Sequence, residues 1–351
     1  MPGARARRLR TSFGGTPKSV ESPTSCGHIS KLLSTAERTR ITTDMKNPPT
    51  NIAASVRQRL LNLAKASGVD YNQLLIRYAI ERLLYRLSRS VHRENFVLKG
   101  AMLFVIWEGS PHRPTQDVDL LGFGDRSPDR IAGVFREICE TTVEDDGIVF
   151  AAATVQAEEI RTTDEYGGVR VRFVASLGGA VIRVQADVGF GDAVTPAAPE
   201  SNYPTLLPSQ PVPHLRVYPR ETVVAEKLEA IAKLGMLNTR LKDYYDLRYL
   251  AEHFEFDGQV LIEAIAATFE RRGTPLPPAL PAGLSATFAT DAAKQTQWIA
   301  FLRHQPAQKL PELSDVIAEI NRFVGPPMLA AGKRQPLASK WNFAHGWTRL
   351  P

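Results

Sequence analysis

The hydrophobic period of this chain changes twice, and each change confines the fold. From Ser55 to Leu87 apolar residues recur at helical spacing. Val56, Leu60, Leu63 and Ala64 form one stripe, and Leu74, Leu75, Tyr78, Ala79, Leu83 and Leu87 form a second. Gly68-Val69-Asp70 separates the two helices. The chain then shifts to short strand-like runs: Phe96–Leu98, Gln116–Leu121, 148–157, 168–176 and 179–188, with a helix expected over 131–140. Leu177-Gly178-Gly179 predicts a hairpin turn between the last two. Prolines at 196, 199, 204, 208, 211 and 213 mark a connector. Helical spacing resumes over 221–235, 241–254 and 259–271. Beyond a Pro-rich stretch at 273–281 it continues to about Phe323. The order is helices, a mixed α/β middle, then helices, with no internal repeat. The expected organisation is a basic extension over 1–50, N-terminal helices and an α/β core over 51–195 and a connector over 196–220. A helical domain over 221–328 and a basic tail over 329–351 complete it.

Charge refines this plan. The 351 residues carry a formal net charge of +6, but residues 1–50 alone hold nine basic and three acidic side chains. Residues 329–351 hold four basic and no acidic ones, and residues 51–328 hold 30 basic and 34 acidic ones. A uniformly basic protein is excluded. The Arg, Ser, Thr, Pro and Gly content of 1–50 reads as disordered. The composition break at Met45-Lys46-Asn47-Pro48-Pro49 makes Met45 a candidate start, with 1–44 as upstream sequence. No uncharged apolar run of 18 residues occurs, so no membrane partner is expected. Cys26 and Cys139 make no disulfide framework, and the seven histidines lack metal-ligand spacing. The expected setting is cytoplasmic. Arg57, Arg59, Arg77, Arg82, Arg86 and Arg89 on the first helix pair read as a solvated basic face in preference to helix-turn-helix DNA binding.

Several residues carry chemistry. Asp117-Val118-Asp119 puts two carboxylates on one face of a strand, about 6–7 Å apart at the backbone. They read either as a solvated strand end or as ligands for a hard divalent cation such as Mg²⁺. Asp187 closes the alternating run Val184–Val188, and reads either as a third ligand or as the start of a turn at Gly189. Lys99-Gly100, at a strand-to-helix turn, suits phosphate. Lys227 sits mid-helix in Glu226-Lys227-Leu228-Glu229-Ala230. Arg240, Asp243 and Asp246 share a helix face, with Lys242 four residues before Asp246. That face reads as an exposed charge ladder, or as buried charges needing partners among Tyr244, Tyr245, Leu247, Tyr249 and Leu250. The chain has no P-loop, no nucleophile elbow and no dinucleotide fingerprint.

Four motifs, in order, resemble the AbiEii/AbiGii toxin family of nucleotidyltransferase-like toxins, which includes the mycobacterial MenT toxins. They are Phe96-Val97-Leu98-Lys99-Gly100-Ala101, Arg113-Pro114-Thr115-Gln116-Asp117-Val118-Asp119-Leu120, Ala225-Glu226-Lys227-Leu228 and Arg240-Leu241-Lys242-Asp243-Tyr244-Tyr245-Asp246-Leu247. The resemblance runs from about Met45 to residue 325. It implies a polymerase-β-like nucleotidyltransferase domain with a mixed sheet, followed by a helical domain. It also implies use of an NTP with Mg²⁺ or Mn²⁺, transfer to the 3′ end of tRNA, arrest of translation and growth, and an antitoxin partner of winged-helix or kinase type. Asp117 and Asp119 look like the metal pair, with Asp187 as a further ligand. Lys227 resembles the lysine on the NTP phosphates, and Asp243 the downstream catalytic aspartate, with Asp246 in the same motif. Thr115 stands where some members are phosphorylated. Lys99, Gly100, Arg113, Arg240 and Lys242 fit phosphate binding. Many nucleotidyltransferases have Gly-Ser where this chain has Gly100-Ala101, which leaves only backbone phosphate contacts there. Competing readings are nucleotidylylation of a protein or small molecule, and a non-catalytic nucleic-acid-binding module whose binding would be salt-dependent but indifferent to Mg²⁺ and NTP.

Overall fold

The computed structural model describes residues 51–160, 167–305 and 311–350. The expected basic extension and the candidate start at Met45 lie outside the described residues. Helix α1 (Ile52–Ser67) is capped by Asn51, whose side chain accepts from Ala54 N at 2.9 Å, and Gly68 ends it at φ +70°. Asp70 caps α2 (Tyr71–Arg89) in the same way. Then come β1 (Phe96–Lys99), α3 (Leu103–Glu108), β2 (Asp117–Gly122), α4 (Pro128–Glu140), β3 (Ile148–Ile160), β4 (Gly168–Leu177) and β5 (Ala180–Phe190). The expected hairpin joins β4 to β5 with Gly178 and Gly179 both at positive φ, as a two-residue turn of the primed type requires.

The five strands form one mixed sheet in the order β1-β2-β5-β4-β3, parallel only between β2 and β5. Alternation assigns its faces. Val169, Val171, Phe173, Ala175 and Leu177 of β4, with Ile182, Val184, Ala186 and Val188 of β5, are buried in the core formed with α2 and α4. The residues between them, including Arg170, Arg172, Arg183, Gln185 and Asp187, line the opposite, polar face.

The first helix pair is less solvated than its charge suggests, which corrects the expected basic face. Arg82 and Arg86 are 0% and 7% exposed. Arg86 holds Asp146 through two bonds of 2.7 and 3.1 Å, and Arg82 donates to Pro211 O while pairing with Glu81. Arg57 and Arg59 donate to Gly178 O and Ser209 Oγ. Loop carbonyls and a buried carboxylate packed on these helices need donors, and arginine reaches them.

The Pro-rich connector contains a hairpin, β6 (Glu200–Asn202) and β7 (His214–Arg216). Just beyond it Tyr218 N donates to Leu98 O, fastening the next helix to the β1 edge. That helix is α5 (Arg220–Leu234), followed by α6 (Leu241–His253), β8 (Phe256–Asp257), α7 (Gly258–Arg271), α8 (Ala286–Thr290), α9 (Ala292–Leu302) and α10 (Leu313–Lys333). Helix α10 passes through Pro326-Pro327, beyond the end expected near Phe323. The last strands, β9 (Ser339–Asn342) and β10 (Gly346–Arg349), pair onto β8. Here the buried Trp341 donates its indole N–H to Ala251 O of α6. One apolar cluster runs from Val56 to Trp341, so α5 and α6 are packed rigidly against the sheet end that matters below.

Candidate active site

Strand register assembles the acidic half of the site. Lys99 of β1 faces Asp119 of β2, Asp119 faces Asp187 of β5, Asp187 faces Arg170 of β4, and Arg170 faces Glu158 of β3. One row across all five strands therefore reads Lys-Asp-Asp-Arg-Glu. Asp117 stands two residues before Asp119 on the same face. Oxygens of Asp117, Asp119 and Asp187 all lie within 4.8 Å of one another. Asp187 is not the start of a turn: β5 continues to Phe190, and positive φ arrives only at Gly191. Arg170 grips both Asp187 oxygens at 2.9 and 2.7 Å, and Thr115 Oγ1 donates to Asp117 Oδ1 at 2.7 Å. Gly100 adopts φ +76°, and a Cβ there would meet Asp119 Oδ2 at 2.0 Å, so this position must lack a side chain.

These carboxylates strain against each other. Burial pushes Asp119 up, Asp117 and Asp187 push it further, and Lys99 and Lys242 offset this only in part, leaving it at about 6 against an ordinary value of 3.8. Three carboxylates in this spacing are a fitting donor set for a hard divalent cation, which would relieve that repulsion. A stability consequence follows. Between pH 3.8 and about 6 the folded chain binds more protons at Asp119 than the unfolded chain, so metal-free stability falls as pH rises through this window. The full loss, at most about 3 kcal/mol, is present above it. In chelator, Asp119→Asn is expected to melt above wild type at pH 7 and level with it near pH 4. Parallel melting curves for the two proteins across that range would refute the strain.

The basic half comes from the helices. Lys227, mid-way along α5, donates to Asp243 Oδ1 and Asp246 Oδ2, both at 2.8 Å. Arg113 bonds Asp246 at 2.9 and 3.2 Å, and Arg240, the residue before α6, bonds Asp243 at 2.7 Å. The exposed-ladder reading of α6 is thereby replaced for its aspartates, whose side chains are 1% exposed and paired, while Arg240 stays half exposed and Lys242 is exposed. Asp246 pairs with Lys227 and Arg113, not with Lys242. Desolvation would raise Asp243 and Asp246, but Lys227 with Arg240 and Arg113 outweighs it and holds both below the usual carboxylate range. Lys227 is raised because the two aspartates overcome its burial. Within this network three cations, Lys227, Arg113 and Arg240, against two carboxylates leave one positive charge in excess.

Residues without a sequence signal complete the surroundings. Lys99 Nζ is held by Asp192 at 2.6 Å, and Arg272 reaches Asp192, Glu226 and Glu229 at 2.9, 3.2 and 3.0 Å. Asp192 is held low by Lys99 and Arg272 against the effect of burial. His112 stacks on Tyr245 at 4.5 Å and packs against a tilted Tyr249 ring at 3.8 Å, behind Asp246. Burial lowers His112 to about 4, so it backs the network as a neutral ring. His112, Arg170, Asp192 and Arg272 occupy no motif, and Glu226 stands in one only as the neighbour of Lys227.

Between the halves lies a cavity of about 360 Å³, lined by Lys99, Gly100, Arg113, Asp119, Asp187, Lys227, Arg240, Lys242, Asp243 and Arg272, and also by Asp192, Glu226, Glu229 and Lys233. In net charge it is acidic on the sheet side and, despite Glu226 and Glu229, basic on the helix side. Of the residues singled out from sequence, Asp246 lies behind the lining, packed under Lys227 and Arg113, and Asp117 and Thr115 stand at its border. Such polarity suits a polyanion carrying a metal ion.

A two-sided pocket of this kind, on a mixed sheet with helices behind it, can hold a phosphate-bearing ligand and its metal between carboxylates and cations. The family described as "Nucleotidyl transferase AbiEii toxin, Type IV TA system" matches residues 82–319, and the chain belongs to that family. Two solved structures from Helicobacter pylori are also similar, one of JHP933 and one of a protein described as a candidate nucleotidyltransferase. Each is 14% identical with a TM-score of 0.40. The match covers 75% of this chain and 92% of JHP933, and 74% of this chain and 95% of the other. No curated protein matches. Among the described residues no helix is long and apolar enough to cross a membrane.

Proposed function

We propose that this protein transfers a nucleoside monophosphate from an NTP to an acceptor hydroxyl, and that the acceptor is the 3′ end of tRNA, so that translation and growth stop. The observation that carries this reading is the facing of three strand carboxylates and a lysine–arginine wall across one cavity. In the reaction the acceptor hydroxyl gives its proton to solvent, its oxygen bonds the α-phosphorus in line, and the bond from that phosphorus to the leaving pyrophosphate breaks. Asp117 and Asp119, with Asp187, would hold Mg²⁺ or Mn²⁺, and a metal held there would supply neutralisation of phosphate charge and a lower pKa for the attacking hydroxyl. Lys99, Gly100, Arg113, Arg240 and Lys242 border the phosphates. Lys227 directs its charge at the departing pyrophosphate, and Asp243 with Asp246 fixes its position. Thr115, whose hydroxyl bonds Asp117, is the position at which a kinase-type antitoxin would act, by adding charge beside the carboxylates.

The test supplies each labelled NTP with Mg²⁺, total tRNA and a protein lysate. Label in RNA is the expected result. Label confined to protein or small molecules would overturn the acceptor and favour the nucleotidylylation reading. No label, with RNA bound equally well without Mg²⁺ or NTP, would overturn the enzyme.

A further inference from the structure

A second cavity opens on the polar sheet face, and Asp117 belongs to it. This groove, about 860 Å³, runs from Gln116 and Asp117 past Gln185 and Arg172 to Arg183, with Gln156 on its far side. The nucleotide cavity holds Asp119 and Asp187 but not Asp117, and the groove holds Asp117 but neither of the others. The three carboxylates therefore stand at the junction of two separate spaces, each reaching them from its own side.

Register again explains the lining. The row next to the Lys-Asp-Asp-Arg-Glu row reads Asp117-Gln185-Arg172-Gln156 across β2, β5, β4 and β3. Arg183 lies one step further along β5, opposite Val174. Arg172 shares its guanidinium between Glu158 and Gln185, and its side chain is 51% exposed. Arg183 is exposed and, among the described residues, makes no ion pair. Apart from Asp117, whose charge faces the carboxylate cluster, the groove holds two arginines and three glutamines among its polar residues and no other acid.

The geometry points to this groove as the acceptor site, built for a single-stranded nucleic-acid end. The proposal rests on the transferase reading above. A strand whose terminal hydroxyl reaches the carboxylates would run its preceding phosphates toward Arg172 and Arg183. Arg183 lies four residues from Asp187 on one strand, about 13 Å along it, a span of a few phosphates. Gln116, Gln156 and Gln185 each offer both a donor and an acceptor to sugar and base edges. The groove also carries Ile76, Phe173 and Val174, against which a base or sugar face can pack, and a small molecule would need no arginine so far from the reacting hydroxyl.

The test compares Arg183→Ala and Arg183→Glu with wild type and with Lys340→Ala, an exposed lysine on β9 away from the groove. It uses the full chain and three measurements. They are transfer to total tRNA at varied tRNA concentration, binding of a short single-stranded RNA across a salt series, and binding of an α,β-methylene NTP. Arg183→Ala is expected to raise KM for tRNA about tenfold and Arg183→Glu further, with NTP binding and kcat unchanged. The salt slope of RNA binding should fall by roughly 0.7 for the one lost phosphate contact. Lys340→Ala should change nothing. Unaltered KM and slope in Arg183→Glu, with wild type still labelling tRNA, would remove the groove and leave the transferase reading intact. Loss of NTP binding in step with RNA binding would also remove it as a separate site. Wild-type label in protein alone would defeat the acceptor class itself.

Discussion

Asp117→Asn is expected to abolish nucleotide transfer, lowering kcat by at least about a thousandfold, while the protein stays folded. The size follows from the role. A carboxylate that helps hold a metal against developing phosphate charge is worth several kcal/mol in the transition state, and about 4 kcal/mol is a thousandfold. The fold should survive because Asp117 is only part-buried at the start of β2, and an asparagine oxygen can still accept from Thr115. Stability should even rise in chelator, since Asp117 is one of the charges that push Asp119 upward. The check is a steady-state assay beside a thermal melt. Full activity in this variant would defeat the site.

Asp246→Ala should act through stability as well as activity. This carboxylate, 1% exposed, accepts from Lys227 and Arg113, both well buried, and His112 Nε2 stands 3.7 Å away. Removing it strands the buried Arg113 and leaves Lys227 with Asp243 alone, a loss of about 3–5 kcal/mol that should lower Tm by roughly 10 °C. Transfer should fall with it, because Lys227 would lose one of the two carboxylates that aim it. Asp246→Asn keeps the shape and an acceptor, so it should melt closer to wild type and yet transfer poorly. The pH dependence has a definite sign. Asp243 and Asp246 sit below their ordinary value of 3.8, so their contribution is present above that pH and is lost as pH falls. A wild-type melting temperature in Asp246→Ala would show that the network holds nothing.

The contrast between these two aspartates shows which parts of the site local pattern reveals. Asp117 and Asp119 were legible because strand alternation places i and i+2 on one face whatever the rest of the chain does. Other local patterns exposed the β4–β5 hairpin, the break at Gly68-Val69-Asp70 and the buried stripe of α2. Local pattern misled where charge was taken for exposure. Arg82 and Arg86 look like a solvated face, yet they satisfy Glu81, Asp146 and Pro211 O, partners that come from other parts of the chain or arise only on packing. The α6 aspartates carried both readings until Lys227 and Arg113 were placed against them.

The charge pattern shows the same division. The middle of the chain is slightly acidic in total, and no total distinguishes an acidic sheet wall from a basic helix wall across one cavity. Periodicity along the chain is short-range, since each residue's face depends on its immediate neighbours, and it was enough to assign the five strands of the main sheet, the long helices and the Asp-x-Asp pair, but not the short strands β6–β10. The Lys99-Asp119-Asp187-Arg170-Glu158 row, the two cavities meeting at the carboxylates, and the seating of His112, Asp192 and Arg272 depend on long-range register and packing. A one-residue slip of β5 would turn Asp187 into the core and leave every local pattern unchanged, which is why the assembled site belongs to the folded chain.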